Sequence, residues 1–276
     1  MDTKTDALVS RALEGDRDAL EALLAEVQDT VFNLSLRMLG TPADAEDASQ
    51  DILVRVMTNL ASFRRESSFS TWVYRIAVNF LIDYKKSMFA HAPLNFDFYG
   101  ADIASVQDAP YTGSADAELL AEELKFSCTN VMLQCLSPED RCIFILGTMF
   151  RVDSRIAGEA LGISAANYRQ KLSRIRKRMS AFLAQYCGLS GTGMCSCKRR
   201  AGHAVKQGRI DPEKPAYTAL ETLDSGLLAS CKDEMEAMDD SAAIFASFPA
   251  YRSPMSARQF LRELLDSRGM DAIRAF

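Results

Sequence analysis

Apolar residues recur at three- and four-residue intervals along most of this chain, the spacing of amphipathic helices, and they predict an all-α fold. Leu8, Val9 and Leu13, then Leu20, Leu23, Leu24 and Val27, predict a helical pair over residues 6–27. The pair is broken at Gly15-Asp16, with Asp16 or Asp18 as the cap of the second helix. Val31, Leu34, Leu36, Met38 and Leu39 carry the core on to Gly40. Thr41-Pro42 then opens a helix over Ala43–Leu60, with Thr41 as N-cap and Pro42 in the first turn. The densest stretch is Phe63–Lys86. There Phe69, Trp72, Val73, Ile76, Ala77, Phe80 and Leu81 make one face, and Ser70, Arg75, Asn79, Asp83 and Lys86 the other. A polar loop, Arg64-Arg65-Glu66-Ser67-Ser68, leads into it.

The period stops after Lys86. Ser87–Ser114 scatters Gly, Pro and Asp among Phe96, Phe98 and Tyr99 and reads as a linker. A second helical domain begins near Ala115, where Leu119, Leu120, Leu124, Val131, Leu133 and Leu136 form a face. Ser137-Pro138-Glu139-Asp140 has the form of a helix start. A short helix over Ser154–Leu161, a Gly162-Ile163-Ser164 turn and a long helix from Ala165 to Leu183 then make a helix-turn-helix pattern. Tyr168, Leu172, Ile175, Met179 and Phe182 of the long helix point inward. Beyond Asp211-Pro212, Leu220–Leu228, Met235–Phe248 and Ser256–Ser267 read as short helices.

At 276 residues and 48% hydrophobic, the chain can bury two or three small cores. No apolar run approaches membrane-spanning length and no signal-peptide pattern opens the chain, so a cytoplasmic protein with no membrane contact is expected. The net charge of −5 argues against indiscriminate nucleic-acid binding. Charge is segregated, however: residues 1–60 are acidic, while Arg151–Arg209 holds only Asp153 and Glu159 as acids. No phosphate loop or paired His and carboxylate motif is present, and His91 and His203 both fall in irregular segments, so an enzyme is not expected.

Three constellations carry chemistry. Rings and arginines around Phe63–Lys86 suit either a core helix with a solvated face or opened nucleic acid, with cations for phosphate and aromatics for unstacked bases. Asp44, Asp47, Gln50 and Asp51 mark one side of their helix, suited either to helix-start stabilisation or to docking on a basic partner. Cys187, Cys195, Cys197 and His203, spaced C-x7-C-x-C-x5-H, are candidate soft ligands for a tetrahedral zinc ion, although C-x-C is not zinc-finger spacing. Cys128, Cys135, Cys142 and Cys231 read as small core hydrophobes.

The run FRRESSFSTWVYRIAVNFLID resembles the promoter-melting and minus-ten-reading part of the extracytoplasmic-function (ECF, group IV) sigma factors of the bacterial sigma-70 family. DAEDASQD resembles the segment that docks on the clamp coiled coil of the polymerase's largest subunit. LSPEDRCIFIL and IAGEALGISAANYRQKLSRIRKRM resemble the family's minus-thirty-five domain, although Asn167-Tyr168 stands where a Thr-Val pair is usual. The resemblance implies a sigma-2-like bundle over residues 6–87, a linker over 88–114 and a sigma-4-like helix-turn-helix domain over 115–186. A Cys-containing C-terminal extension over 187–276 lies beyond both domains, is too short for a large core of its own, and is expected to pack against one of them or on a partner and to regulate in cis. On this reading Arg64, Arg65, Ser67, Phe69, Trp72, Arg75, Asn79 and Asp83 meet the minus-ten strand. Ala165, Asn167, Arg169, Gln170, Ser173, Arg174 and Lys177 meet the minus-thirty-five duplex, and Asp44, Asp47, Gln50 and Asp51 dock on polymerase. The implied partners are core RNA polymerase through clamp and flap, promoter DNA, and an anti-sigma factor as a candidate. No cofactor is required. Two alternatives stand beside this reading: a helix-turn-helix regulator that never docks on polymerase, and a sigma factor whose extension senses metal or redox state.

Overall fold

The computed structural model describes residues 3–84, 88–91, 94–105, 109–223, 244–245 and 247–266. Among them the fold is almost wholly helical. Helix α1 (Thr3–Leu13) and α2 (Arg17–Leu39) meet at the Gly15-Asp16 break, where the Asp16 carboxylate accepts from the Asp18 and Ala19 amides. Gly40 ends α2 at φ 91°, a left-handed conformation that glycine adopts without strain. Helix α3 (Pro42–Thr58) follows at once, with Thr41 as its cap. Helix α4 (Phe69–Ile82) lies across α2 and α3, capped by the Ser68 hydroxyl on the Thr71 amide at 3.1 Å. These four helices surround Leu24, Val31, Leu34, Ile52, Val73 and Leu81, all buried.

The stretch expected to be a linker is not loose. It forms α5 (Met88–His91) and α6 (Phe96–Ser105), and Phe96, Tyr99 and Ile103 of α6 are buried. Their spacing makes a short apolar face, which closes on Phe182 and Tyr186 of α10 (Ala165–Tyr186). Gly100 permits that approach: a Cβ there would lie 2.6 Å from the Tyr186 ring. Glycine scatter masked this face in the sequence.

The second half contains α7 (Ala117–Gln134), α8 (Pro138–Phe144), a π-helical turn at Ile145–Met149, α9 (Ser154–Ala160) and α10. Leu119, placed in the apolar face of α7 by its spacing, is half-exposed. The extension differs most from expectation. Cys197–Lys206, read as a basic loop, is helix α11, which packs on α7. Thr222–Leu223 is strand β1 rather than helix, paired antiparallel with β2 (Ala250–Tyr251) so that Thr222 faces Tyr251. Helix α12 (Ala257–Asp266) is where the Ser256–Ser267 pattern put it, and it lies on α2. Cys231 and most of the helices expected over Leu220–Leu228 and Met235–Phe248 fall outside the described residues.

The two halves share one core. A continuous apolar cluster runs from Val9 through Leu81 and Leu133 to Leu183, and on to Phe245 and Phe260. Arg141 ties the halves polarly as well. Its guanidinium donates to the Met38 carbonyl of α2 at 2.5 Å and to the carbonyls of Leu133 and Leu136 at 3.0 Å.

Candidate nucleic-acid interface

The loop before α4 and the exposed flank of α4 enclose a cleft of about 370 Å³. Arg64, Ser67, Trp72, Arg75 and Asn79 line it, so the structure brings five of the eight expected minus-ten residues together. Ser62, Phe63, Glu66 and Ile76 complete the wall and were missed. Glu66 was legible as a member of the same polar loop, and its carboxylate is an acceptor that suits an exocyclic amino group.

Phe69 corrects the expectation of a base-stacking ring. It is 5% exposed and stacks at 5.8 Å on Trp72, with Phe63 edge-on at 5.7 Å. An apolar ring at the first position of α4, one turn from Val73, is drawn into the core. Phe63 and Phe69 thus pack against Trp72; Phe63 and Trp72 both line the cleft, and Trp72 is the least buried of the three. Arg65 lies outside the lining. It takes φ 59°, uncommon for a non-glycine residue, and donates to the Ser10 hydroxyl at 2.7 Å. Asp83 is exposed beyond the end of α4, also outside the cleft. Arg75 is shared: its guanidinium reaches Glu159 of α9 at 3.3 Å, with both side chains half-exposed.

On α3, Asp47 and Gln50 are exposed and Asp44 and Asp51 are half-buried, and the three aspartates lie near Tyr84. Burial raises the Tyr84 pKa, and the charges of Asp47, Asp44 and Asp51 raise it further, so this flank is negative throughout. Asp44 serves the helix start too, accepting from the Thr41 hydroxyl at 2.9 Å.

The helix-turn-helix is built as expected. Asp153 caps α9 and Ser164 caps α10, the latter accepting from the Asn167 amide at 3.2 Å. Gly162 takes φ 66° in the turn, and a Cβ on Gly158 would lie 2.7 Å from the Ile163 carbonyl oxygen. Tyr168 is buried and donates to the Ile143 carbonyl at 3.1 Å, which anchors the inward face of α10. Asn167, Arg169, Gln170, Ser173, Arg174 and Lys177 are exposed together, while Ala165 is half-buried. Arg176 does not face outward: it bonds Thr148 Oγ1 at 3.1 Å and the Gly147 carbonyl at 2.9 Å.

The cysteines do not make the expected metal centre. Cys187 and Cys195 pair through their backbones, and Cys195, Cys197 and His203 line one cavity with Cys128. Among the described residues, however, no group of three or more His, Cys, Asp or Glu is arranged to hold a metal ion. Burial pushes the Cys197 thiol up to about 11, and the neighbouring Cys195 and Cys187 add to the shift. Cys128, half-buried, meets the Tyr99 hydroxyl at 2.8 Å, whereas Cys135 and Cys142 are core residues as expected.

The molecule thus combines a cleft lined by aromatic, basic and amide side chains with a helix-turn-helix. The Sigma-70 region 2 family model matches residues 23–87, which span the acidic flank and the cleft. The chain is 39% identical over 75 residues to the ECF RNA polymerase sigma factor SigW of Bacillus subtilis, covering 27% of this chain and 40% of that protein. It is 32% identical over 152 residues to the ECF RNA polymerase sigma-E factor of Haemophilus influenzae, covering 49% and 79%. With the ECF RNA polymerase sigma factor SigM of Mycobacterium tuberculosis it is 26% identical over 194 residues, covering 69% and 89%. The chain belongs to the ECF RNA polymerase sigma factors of the sigma-70 family. No helix among the described residues is long and apolar enough to cross a membrane.

Proposed function

We propose that this chain directs promoter-specific initiation in the cytoplasm by docking on core RNA polymerase, capturing the opened minus-ten strand and reading the minus-thirty-five duplex. The observation that carries the reading is the cleft. It is a cavity of about 370 Å³ with one aromatic wall and cations and an amide at its rim, formed by residues inside the family match. Unpairing a base costs a few kcal/mol, and stacking on an aromatic ring returns roughly 1–3 kcal/mol. Trp72 supplies that ring, Asn79 and Ser67 can address base edges, and Arg64 and Arg75 can hold the flanking phosphates.

The exposed acidic flank of α3 is the surface proposed for the clamp coiled coil of the largest subunit. An anti-sigma factor, were one to bind, would compete there. Helix α10 offers Asn167, Arg169 and Gln170 near its start for base edges, and Ser173, Arg174 and Lys177 further along for phosphate and flanking contacts. The polymerase flap is the proposed support of this domain. No catalysis is assigned, and no zinc ion. Run-off transcription with sigma-free core polymerase, on fragments that include the chain's own upstream region, tests the proposal. Transcripts that depend on this protein are expected. Failure both to bind core polymerase and to initiate would leave the helix-turn-helix regulator as the better account.

A further inference from the structure

Helices α2 and α7 each carry polar residues buried in otherwise apolar surroundings, and the extension supplies their partners. Asn33, 1% exposed on α2, meets Tyr251 as a neighbouring strand would. Its Nδ2 donates to the Tyr251 carbonyl at 2.6 Å, and its Oδ1 accepts from the Tyr251 amide at 2.9 Å. One turn on, Arg37 donates to the Pro249 carbonyl at 2.6 Å, and its guanidinium carbon lies 5.5 Å from the centre of the Tyr251 ring. On α7, the buried Glu123 carboxylate accepts from the amides of Ala216, Tyr217 and Thr218 at 2.7–3.2 Å and from the Thr218 hydroxyl at 2.9 Å. Tyr217 also donates through its hydroxyl to the Gly40 carbonyl at the end of α2.

Most of these bonds go to main-chain groups. A buried asparagine, arginine or glutamate in a helix face is costly unless partnered. The face is therefore built to read the backbone of a third segment rather than for α2 and α7 to pack dry against each other.

The two proposed DNA readers also lie against each other. Helix α4 of the cleft touches α9 of the helix-turn-helix, with Arg75 and Glu159 at 3.3 Å. Promoter elements centred about 25 base pairs apart lie roughly 85 Å apart on straight duplex. One closed body cannot engage both.

We infer that the α2–α7 seam is a peptide-reading surface occupied in cis by residues 216–218 and 249–251, and that this strap holds a closed form which must open before both promoter elements are bound. The inference rests on the sigma-factor reading, and it assigns the extension its role. It also separates two functions by position: the strap touches neither the cleft lining nor the exposed face of α10, so the closed form keeps each reader intact while denying them their joint spacing. A ligand that prefers the open form, such as core polymerase, shifts the population by its differential affinity.

Two full-length variants test it. Glu123→Gln replaces a carboxylate that only accepts with an amide whose NH2 opposes three N–H donors, and Tyr217→Phe removes a single hydroxyl and serves if the first fails to fold by circular dichroism. Small-angle scattering and run-off transcription at limiting core polymerase are the readouts. A larger radius of gyration than that of the wild type is expected, with half-maximal transcription at about 5- to 30-fold lower protein concentration and an unchanged plateau. Folded variants with unchanged scattering, or with half-maximal concentration unchanged or higher, overturn the inference. If neither wild type nor variants initiate, the sigma-factor reading has failed, and scattering alone then decides whether the strap closes the molecule.

Discussion

Trp72 packs against Phe63 and Phe69, so its indole is pre-positioned in the cleft without ordering on binding. Trp72→Ala is expected to reduce open-complex formation by about 10- to 100-fold, from the loss of roughly 1–3 kcal/mol of stacking. Permanganate footprinting of the minus-ten region checks it, with duplex binding by α10 unchanged. Gln170, exposed near the start of α10, acts at the same scale: Gln170→Ala is expected to cost about 1–3 kcal/mol and to relax preference at one base pair, read by competition among minus-thirty-five variants. Asp102 gives a pH prediction. The Arg209 side chain bonds it at 2.8 Å and holds its carboxyl below the ordinary 3.8. A carboxyl depressed in the folded state contributes stability above its unfolded pKa, and that contribution is lost as pH falls through the lower folded value. Lowering pH from 7 to 5 should therefore leave the difference between wild type and Asp102→Asn unchanged, and the difference should shrink only below 3.8, as followed by urea midpoints. Cys187 and Cys195 are backbone partners, which places their Cα atoms about 5 Å apart and inside the disulfide window. Mild oxidation with a disulfide-forming reagent is expected to link these two before buried Cys135 or Cys142, as shown by peptide mapping.

At the scale of elements, those with long periods and strong caps were legible. Asp16, Thr41, Ser137 and Ser164 all cap where the sequence places a helix start, and the inward face of α10 is buried residue for residue. The cleft was legible in part: loop and helix were in view, but a ring at helical spacing cannot declare whether it faces a base or the core, and Phe69 went inward. Helix α6 was missed because its three apolar positions are separated by glycine and aspartate. Its stability comes from Phe182 and Tyr186, far along the chain. Strands β1 and β2 are two residues each, too short to carry a period. Glycines at close approaches make the element-scale prediction. Gly158→Ala would set a Cβ 2.7 Å from the Ile163 carbonyl, backbone that cannot swing aside. A loss of about 1–3 kcal/mol in stability is expected, with weakened binding to minus-thirty-five duplex and unimpaired docking on core polymerase. Denaturant midpoints and separate binding assays distinguish these effects.

For the whole molecule, the sequence divides the chain into two helical domains and a tether, whereas the structure joins them. The apolar cluster crosses from α2 and α4 into α8 and α10 without interruption; Arg141 fastens the crossing directly, and Asn33 and Glu123 fasten each side to the extension. Two domains on a flexible linker would melt independently, each by its own stability. One core shared by both must be lost together, because separating the halves exposes apolar surface on each and strips partners from buried polar groups. Calorimetry of the full chain is therefore expected to give a single transition, with calorimetric and van't Hoff enthalpies in agreement. Glu123→Gln should lower its midpoint and broaden or split it, as the seam loosens before either half unfolds. A wild-type scan already resolved into two transitions would mean that the halves are thermodynamically independent. The contact between α4 and α9 would then be too weak to restrain them, and opening on polymerase would need no release of the strap.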